Sequence, residues 1–189
     1  MAVFGKTGLH IITATSASGT GAGNSVSIGS NGTVTFSSCA TLSLNGIFTS
    51  EYDNYMCVCR VNSGSTSSVN VELRLRTSVP GDDATANYHW QWIQADGTTA
   101  NATQATGAQQ CRVGLYAESG KVNGATFFVG GPFLSAPTVL YGQSAAGYLD
   151  AYLIDYAANH NVSSSFAGFS LIPQSGTFGG TISVYGLVK

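Results

Sequence analysis

Val69-Asn70-Val71-Glu72-Leu73-Arg74-Leu75-Arg76 alternates without a fault. Val69, Val71, Leu73 and Leu75 fall on one side, and Asn70, Glu72, Arg74 and Arg76 on the other. Successive side chains of a strand point to opposite faces, so the stretch predicts a strand with one buried face. Before it, across a Ser- and Gly-rich loop at 62–68, runs Tyr55-Met56-Cys57-Val58-Cys59-Arg60-Val61, and the two read as a strand pair. The lead-in, Phe48-Thr49-Ser50-Glu51-Tyr52-Asp53-Asn54-Tyr55, brings two carboxylates. Three of the chain's four arginines, Arg60, Arg74 and Arg76, follow it. The expectation is a structural corner. Tyr52 and Tyr55 anchor the turn, and Glu51 and Asp53 hydrogen-bond its backbone or pair with Arg74 and Arg76.

Outward from this pair the chain repeats one theme, short strands punctuated by Gly, Ser, Asn and Pro. Strands are predicted near 33–37, 40–45, 54–61, 69–77, 87–93, 110–117, 124–130, 137–141, 148–156, 165–172 and 180–187. No segment keeps a 3.6-residue period over three turns. The fold class is therefore all-β, an antiparallel β-sandwich of jelly-roll-like kind. Pro80-Gly81-Asp82-Asp83 reads as a turn. Residues 98–109, rich in Thr, Ala, Gln and Asn, read as a long loop. Several strands are apolar on both faces. Met56 and Val58 back Tyr55, Cys57 and Cys59; Tyr148, Tyr152, Ile154 and Tyr156 oppose Leu149, Ala151 and Leu153; and Ile182, Val184 and Val188 oppose Tyr185 and Leu187. Such strands are covered by loops or form subunit interfaces.

Residues 1–32 differ from the rest. After Leu9-His10-Ile11-Ile12 comes a run of Thr, Ala, Ser, Gly and Asn, a composition that alone behaves as a flexible linker. The division is an extended N-terminal arm at 1–32 and a sandwich domain at 33–189. The arm is expected to lie against a neighbouring copy or another protein, with Phe4, Leu9, Ile11 and Ile12 as anchors; folding back on its own domain is the alternative.

Charged residues make up 8% of the 189 residues, against roughly 25% in an average soluble domain. A surface so poor in charge suits extensive cover by partners. The net charge of −2 offers no basic footprint for nucleic acid. No apolar run approaches the ~20 residues of a membrane span, and the first residues lack the pattern of a signal peptide. The chain reads as made in a cytoplasm. Cys39, Cys57, Cys59 and Cys111 then read as free, buried thiols that pack as small hydrophobes.

No catalytic constellation can be assembled. His10, His89 and His160 have no metal-ligand partner at i+2 or i+4. No Gly-x-Ser-x-Gly motif offers a nucleophile elbow. Asp150 and Asp155 point to opposite faces, and Asp82-Asp83 sits in a turn. No cofactor and no metal is expected. Tyr88, Trp90, Trp92 and Tyr116 could stack on sugar rings, although large aromatics more often fill cores and interfaces.

Three motifs carry a resemblance: F-x-S-x-Y-D-N-Y at 48–55, L-R-L-R at 73–76 followed by a Gly/Asp turn, and the closing Gly180-Thr181-Ile182-Ser183-Val184-Tyr185-Gly186. Together they resemble a group of tailed-bacteriophage virion proteins described as tail-fibre, head-fibre or capsid-decoration proteins. The resemblance spans about 45–188. It implies a non-enzymatic β-sandwich displayed on the particle surface after synthesis in the host cytoplasm, commonly as a homotrimer. The expected partners are copies of itself and other virion proteins, the major capsid protein first. The leading expectation is a capsid decoration, or cement, protein. The alternative is a fibre tip whose 88–110 region, with Tyr88, Trp90 and Trp92, contacts a host surface receptor or glycan.

Overall fold

The computed structural model describes residues 8–65, 68–77, 81–147 and 152–188, except the side chain of Asp96. The described chain is an antiparallel β-sandwich of fifteen strands without a helix: β1 (Leu9–Ile12), β2 (Ser16–Thr20), β3 (Ser25–Ile28), β4 (Val34–Cys39), β5 (Thr41–Asn45), β6 (Asn54–Gly64), β7 (Val69–Arg76), β8 (Tyr88–Asp96), β9 (Thr99–Ala108), β10 (Cys111–Ala117), β11 (Asn123–Gly130), β12 (Ala136–Ala146), β13 (Tyr152–Ser164), β14 (Gly168–Pro173) and β15 (Phe178–Leu187). The larger sheet runs β3-β4-β15-β6-β11-β12-β13-β8-β9, and β1 joins it by pairing with β15 beyond the end of β4. The smaller runs β10-β7-β14-β5-β2.

The alternating stretch at 69–76 forms β7 as its pattern dictates, with Val71, Leu73 and Leu75 fully buried. Its predecessor β6 does not pair with it. β6 belongs to the larger sheet and β7 to the smaller, so Tyr55, Cys57, Cys59 and Val61 meet Val71, Leu73 and Leu75 across the core. Both strands bury an apolar face, and a sandwich satisfies that as well as a hairpin does. Phe127, Phe169, Phe48, Leu42, Leu44 and Phe178 fill the same core. Each such side chain contributes about 1.5–3 kcal/mol by leaving water.

Three expectations differ from the structure. The described part of the arm takes the alternative course and folds back on its own domain. β1 pairs with β15, β2 with β5 and β3 with β4, so the arm crosses between the sheets of its own domain. Backbone pairing holds these strands where their Ser/Gly composition gives little burial. Residues 98–109 are not a loop. They form β9, the edge of the larger sheet, exposed along nearly its whole length. Without a buried face it lacks any apolar alternation, and the β8 register alone holds it. The sign of it in the sequence is Asp96-Gly97, a hairpin dipeptide; Gly97 takes a φ of +55°. The long hairpin of β12 and β13 also runs further than the predicted strands at 137–141 and 148–156. Tyr148, Leu149 and Ala151 lie outside the described residues, as does Phe4.

Candidate interaction surface

The lead-in to β6 forms the corner its tyrosines suggested. Tyr55 is buried and its hydroxyl accepts the Thr49 N–H (2.7 Å) and donates to the Thr49 carbonyl (2.9 Å). Phe48 packs on the Tyr55 ring with centroids 4.8 Å apart. Burial pushes the Tyr55 pKa up, the Thr49 hydrogen bonds opposing it only in part. The Tyr52 hydroxyl meets His10 Nδ1 at 3.1 Å, tying β1 to the corner. Of the expected anchors on β1, Ile12 packs against the core, whereas Leu9 and Ile11 are exposed.

The partner of Arg76 is a different carboxylate from those expected. Its guanidinium pairs with Asp82, which lies alongside β7 through a short backbone bridge between the two residues. Nε also donates to Asn45 Oδ1 (2.9 Å), and Nη1 to Ser170 (3.0 Å) and Ser43 (3.2 Å). Ser170 in turn donates to Asp82 Oδ1 at 2.7 Å. Arg74 occupies the same outer face of the smaller sheet, opposite Ser170 in register, and its buried Nε has no hydrogen-bond partner among the described residues. These contacts tie β7, β14 and β5 to Asp82.

Tyr88, Trp90 and Trp92 lie on β8 and face inward. Tyr88 is fully buried, accepting the Leu75 N–H (2.9 Å) and donating to the Asp83 carbonyl (3.0 Å). Trp92 is buried and Trp90 half-buried, and the Arg112 guanidinium lies over both, 4.8 Å from the Trp90 ring centre and 4.7 Å from that of Trp92. Two of the three rings are therefore buried, and the third packs against Arg112. Beside them His160, wholly buried, sits edge-on between Tyr88 and Phe166. Its Nε2 is 3.1 Å from Asp83 Oδ2 but out of line for a hydrogen bond. No three His, Cys, Asp or Glu side chains converge to hold a metal among the described residues. The four cysteines are free and buried. Burial raises the thiol pKa of Cys59 and Cys111 to about 12 and that of Cys57 well above its ordinary value, so none of these three is a thiolate at neutral pH.

What remains open is the outer face of the larger sheet. The register lines up Met56, Phe128, Tyr141, Ala157 and Gln91 in one row across β6, β11, β12, β13 and β8. The next row holds Val58, Thr126, Gln143, Asp155 and Ile93; the third, Arg60, Gly124, Ala145, Leu153 and Ala95. Tyr141 (52% exposed), Leu153 (59%), Ile93 (52%), Val139 (48%) and Val58 (41%) all present apolar surface to solvent. Tyr141 is held flat against Phe128, ring centres 5.0 Å apart and planes 14° from parallel. Because β13 carries only Ala157 there, a shallow trough of about 390 Å³ opens beside Tyr141, edged by Gln91, Gln104, His89 and Asn159. The two-sided apolar pattern of β6 pointed to this face. Ala125-Thr126-Phe127-Phe128-Val129 and Val139-Leu140-Tyr141 carry the same signal, and the sequence expectations made no use of it.

No protein-family model, no curated protein and no solved structure matches the chain.

Proposed function

We propose that the chain is a non-enzymatic structural protein of a tailed-phage virion, displayed on the particle surface as a capsid decoration protein. Its partners are the major capsid protein and copies of itself. One observation carries the reading: five adjacent strands expose a broad, nearly uncharged apolar face, headed by Tyr141, Val139, Ile93 and Leu153. Monomeric proteins seldom leave so large an apolar patch in water, and such patches mark contact surfaces. The low charge of the whole chain favours the same reading. So does the meeting of two resemblance motifs in one corner, where β15 pairs with β6 and Tyr52 packs on Gly186. The arm contributes no tether in this reading, since its described strands belong to the domain. Purified protein added to phage particles that lack it should occupy regular positions on the head in electron micrographs. No binding to heads, or binding to tails alone, sinks the decoration reading.

A second reading, a fibre tip that takes a neutral host glycan, is favoured by the trough. A rigid exposed Tyr141 offers a face for C–H/π stacking, and the amides of Gln91, Gln104 and Asn159 offer donors and acceptors beside it. Glycan-array binding that disappears with Tyr141→Ala, together with tail location, would replace the first reading with this one.

A further inference from the structure

Along the five strands that form the exposed face, the described side chains include two that are charged at neutral pH, Arg60 on β6 and Asp155 on β13. Both are exposed, and among the described residues neither joins an ion pair. Three strand spacings and one pleat repeat separate them, roughly 16 Å at ~4.8 Å per strand and ~3.4 Å per residue. Direct pairing within one chain needs about 4 Å. Between them lie only Gly124, Thr126, Gln143 and Ala145, with Val58, Leu153, Phe128 and Tyr141 around.

A cation and an anion set either side of a neutral centre make a self-complementary pattern. Consider a two-fold axis lying between two such faces, above the β11–β12 boundary and perpendicular to the line joining the charges. It brings Arg60 of each copy onto Asp155 of the other, twice, while the apolar centres cover one another. The area is adequate. Five strands by about eight residues span roughly 24 by 27 Å, or roughly 650 Å², within the range of roughly 600–1,000 Å² that one partner of a standard-sized stable interface contributes.

We propose that this face is the isologous interface of a homodimer, a second copy of the chain docking face to face with reciprocal Arg60–Asp155 pairs. The inference rests on reading the face as an assembly surface and not on where in a particle the protein sits. It also replaces the three-fold association that the resemblance implies with a two-fold one.

The test is sedimentation of the full chain with Arg60→Asp, Asp155→Arg and the double exchange. Both positions are exposed, and unchanged thermal unfolding of each variant verifies the fold. Wild-type protein should be a dimer at micromolar concentration. Either single exchange sets like charges against each other twice and should weaken the dimer at least about tenfold. The double exchange should restore it, and the two single variants, mixed, should form a heterodimer. A monomer, a trimer, or a dimer insensitive to both single exchanges overturns the proposal. Particle binding, measured alongside, separates the two claims. If the exchanges abolish decoration but leave self-association unchanged, the inference falls and the virion reading stands. A dimer that behaves as expected but binds no particle upholds the inference and sinks the virion reading.

Discussion

The ring of Tyr52 rests on the backbone of Gly186 so closely that a methyl group there would stand 2.5–2.6 Å from Cγ, Cδ1 and Cδ2. A hydrogen is all that fits. Gly186→Ala should therefore push Tyr52 off the β6–β15 corner and cost about 1–3 kcal/mol, the range for overpacking. Urea unfolding measures it. Removing the ring relieves the clash, so Tyr52→Ala and Gly186→Ala together should cost clearly less than the sum of the two. Strict additivity would show that the two do not share a contact.

Arg76 and Arg74 sit two residues apart on the same face of β7, yet their losses should differ. Arg76→Ala strips Asp82 of its cation and leaves Asn45, Ser43 and Ser170 without their donor. Truncating one partner of a partly buried, charge-assisted network costs about 2–3 kcal/mol. Arg74→Ala, whose Nε is already without a partner among the described residues, should cost less than about 1 kcal/mol. Equal costs would mean that the Asp82 network contributes nothing particular.

The buried thiols make the fold sensitive to alkali. An unfolded thiol ionises near its ordinary value of 9.0, whereas Cys59 and Cys111 hold their protons to about 12. Between those values the folded state binds the extra proton, so stability, complete below pH 9, falls as pH rises toward 12. By pH 10 each thiol should have lost on the order of 1 kcal/mol. Denaturant midpoints from pH 7 to 10 give the slope, and Cys59→Val should flatten it. A slope unchanged in that variant would assign the loss elsewhere. At neutral pH the folded protein should resist thiol-alkylating reagents.

The described part of the arm is structural, so its deletion should unfold rather than release. Removing residues 2–30 strips β1 from β15, β2 from β5 and β3 from β4. It also uncovers Cys39, whose Sγ lies 2.7 Å from where a Cβ on Gly19 would stand. The melting temperature should drop by more than about 5 °C, equivalent to over 1 kcal/mol. A truncated protein with unchanged melting would restore the picture of an independent arm.

The class of fold and the position of most strands were legible because period-2 burial prints itself on the sequence. β7 shows it best, with Val71, Leu73 and Leu75 inward and Arg74 and Arg76 outward. Sheet membership was not legible. Nothing in residues 62–68 distinguishes a hairpin from a crossover, and β6 and β7 bury apolar faces either way. β9 escaped because a strand exposed on both sides carries no hydrophobic signal. The corner formed by Phe48, Tyr52 and Tyr55 was foreseeable from its tyrosines. The choice of Asp82 over Glu51 or Asp53 was not, since it depends on the backbone bridge that sets Asp82 beside Arg76. The inward aim of Trp90 and Trp92 was half legible: the phase of β8 that carries them is the more apolar one, opposite His89 and Gln91, as a core-facing phase should be.

The pairing of β1 with β15 sets Leu9 opposite Leu187 and brings the Val188 N–H to the Gly8 carbonyl. Both ends of the described chain thus leave from one place, the far side of the sheet from the β8–β9 turn. The order in which the strands are synthesised is then interchangeable. Joining Val188 to Gly8 through a short flexible linker and opening the chain at the exposed Gly97 turn should yield a circular permutant with the same fold. Its new termini would lie at the opposite edge, giving cargo a second direction of display.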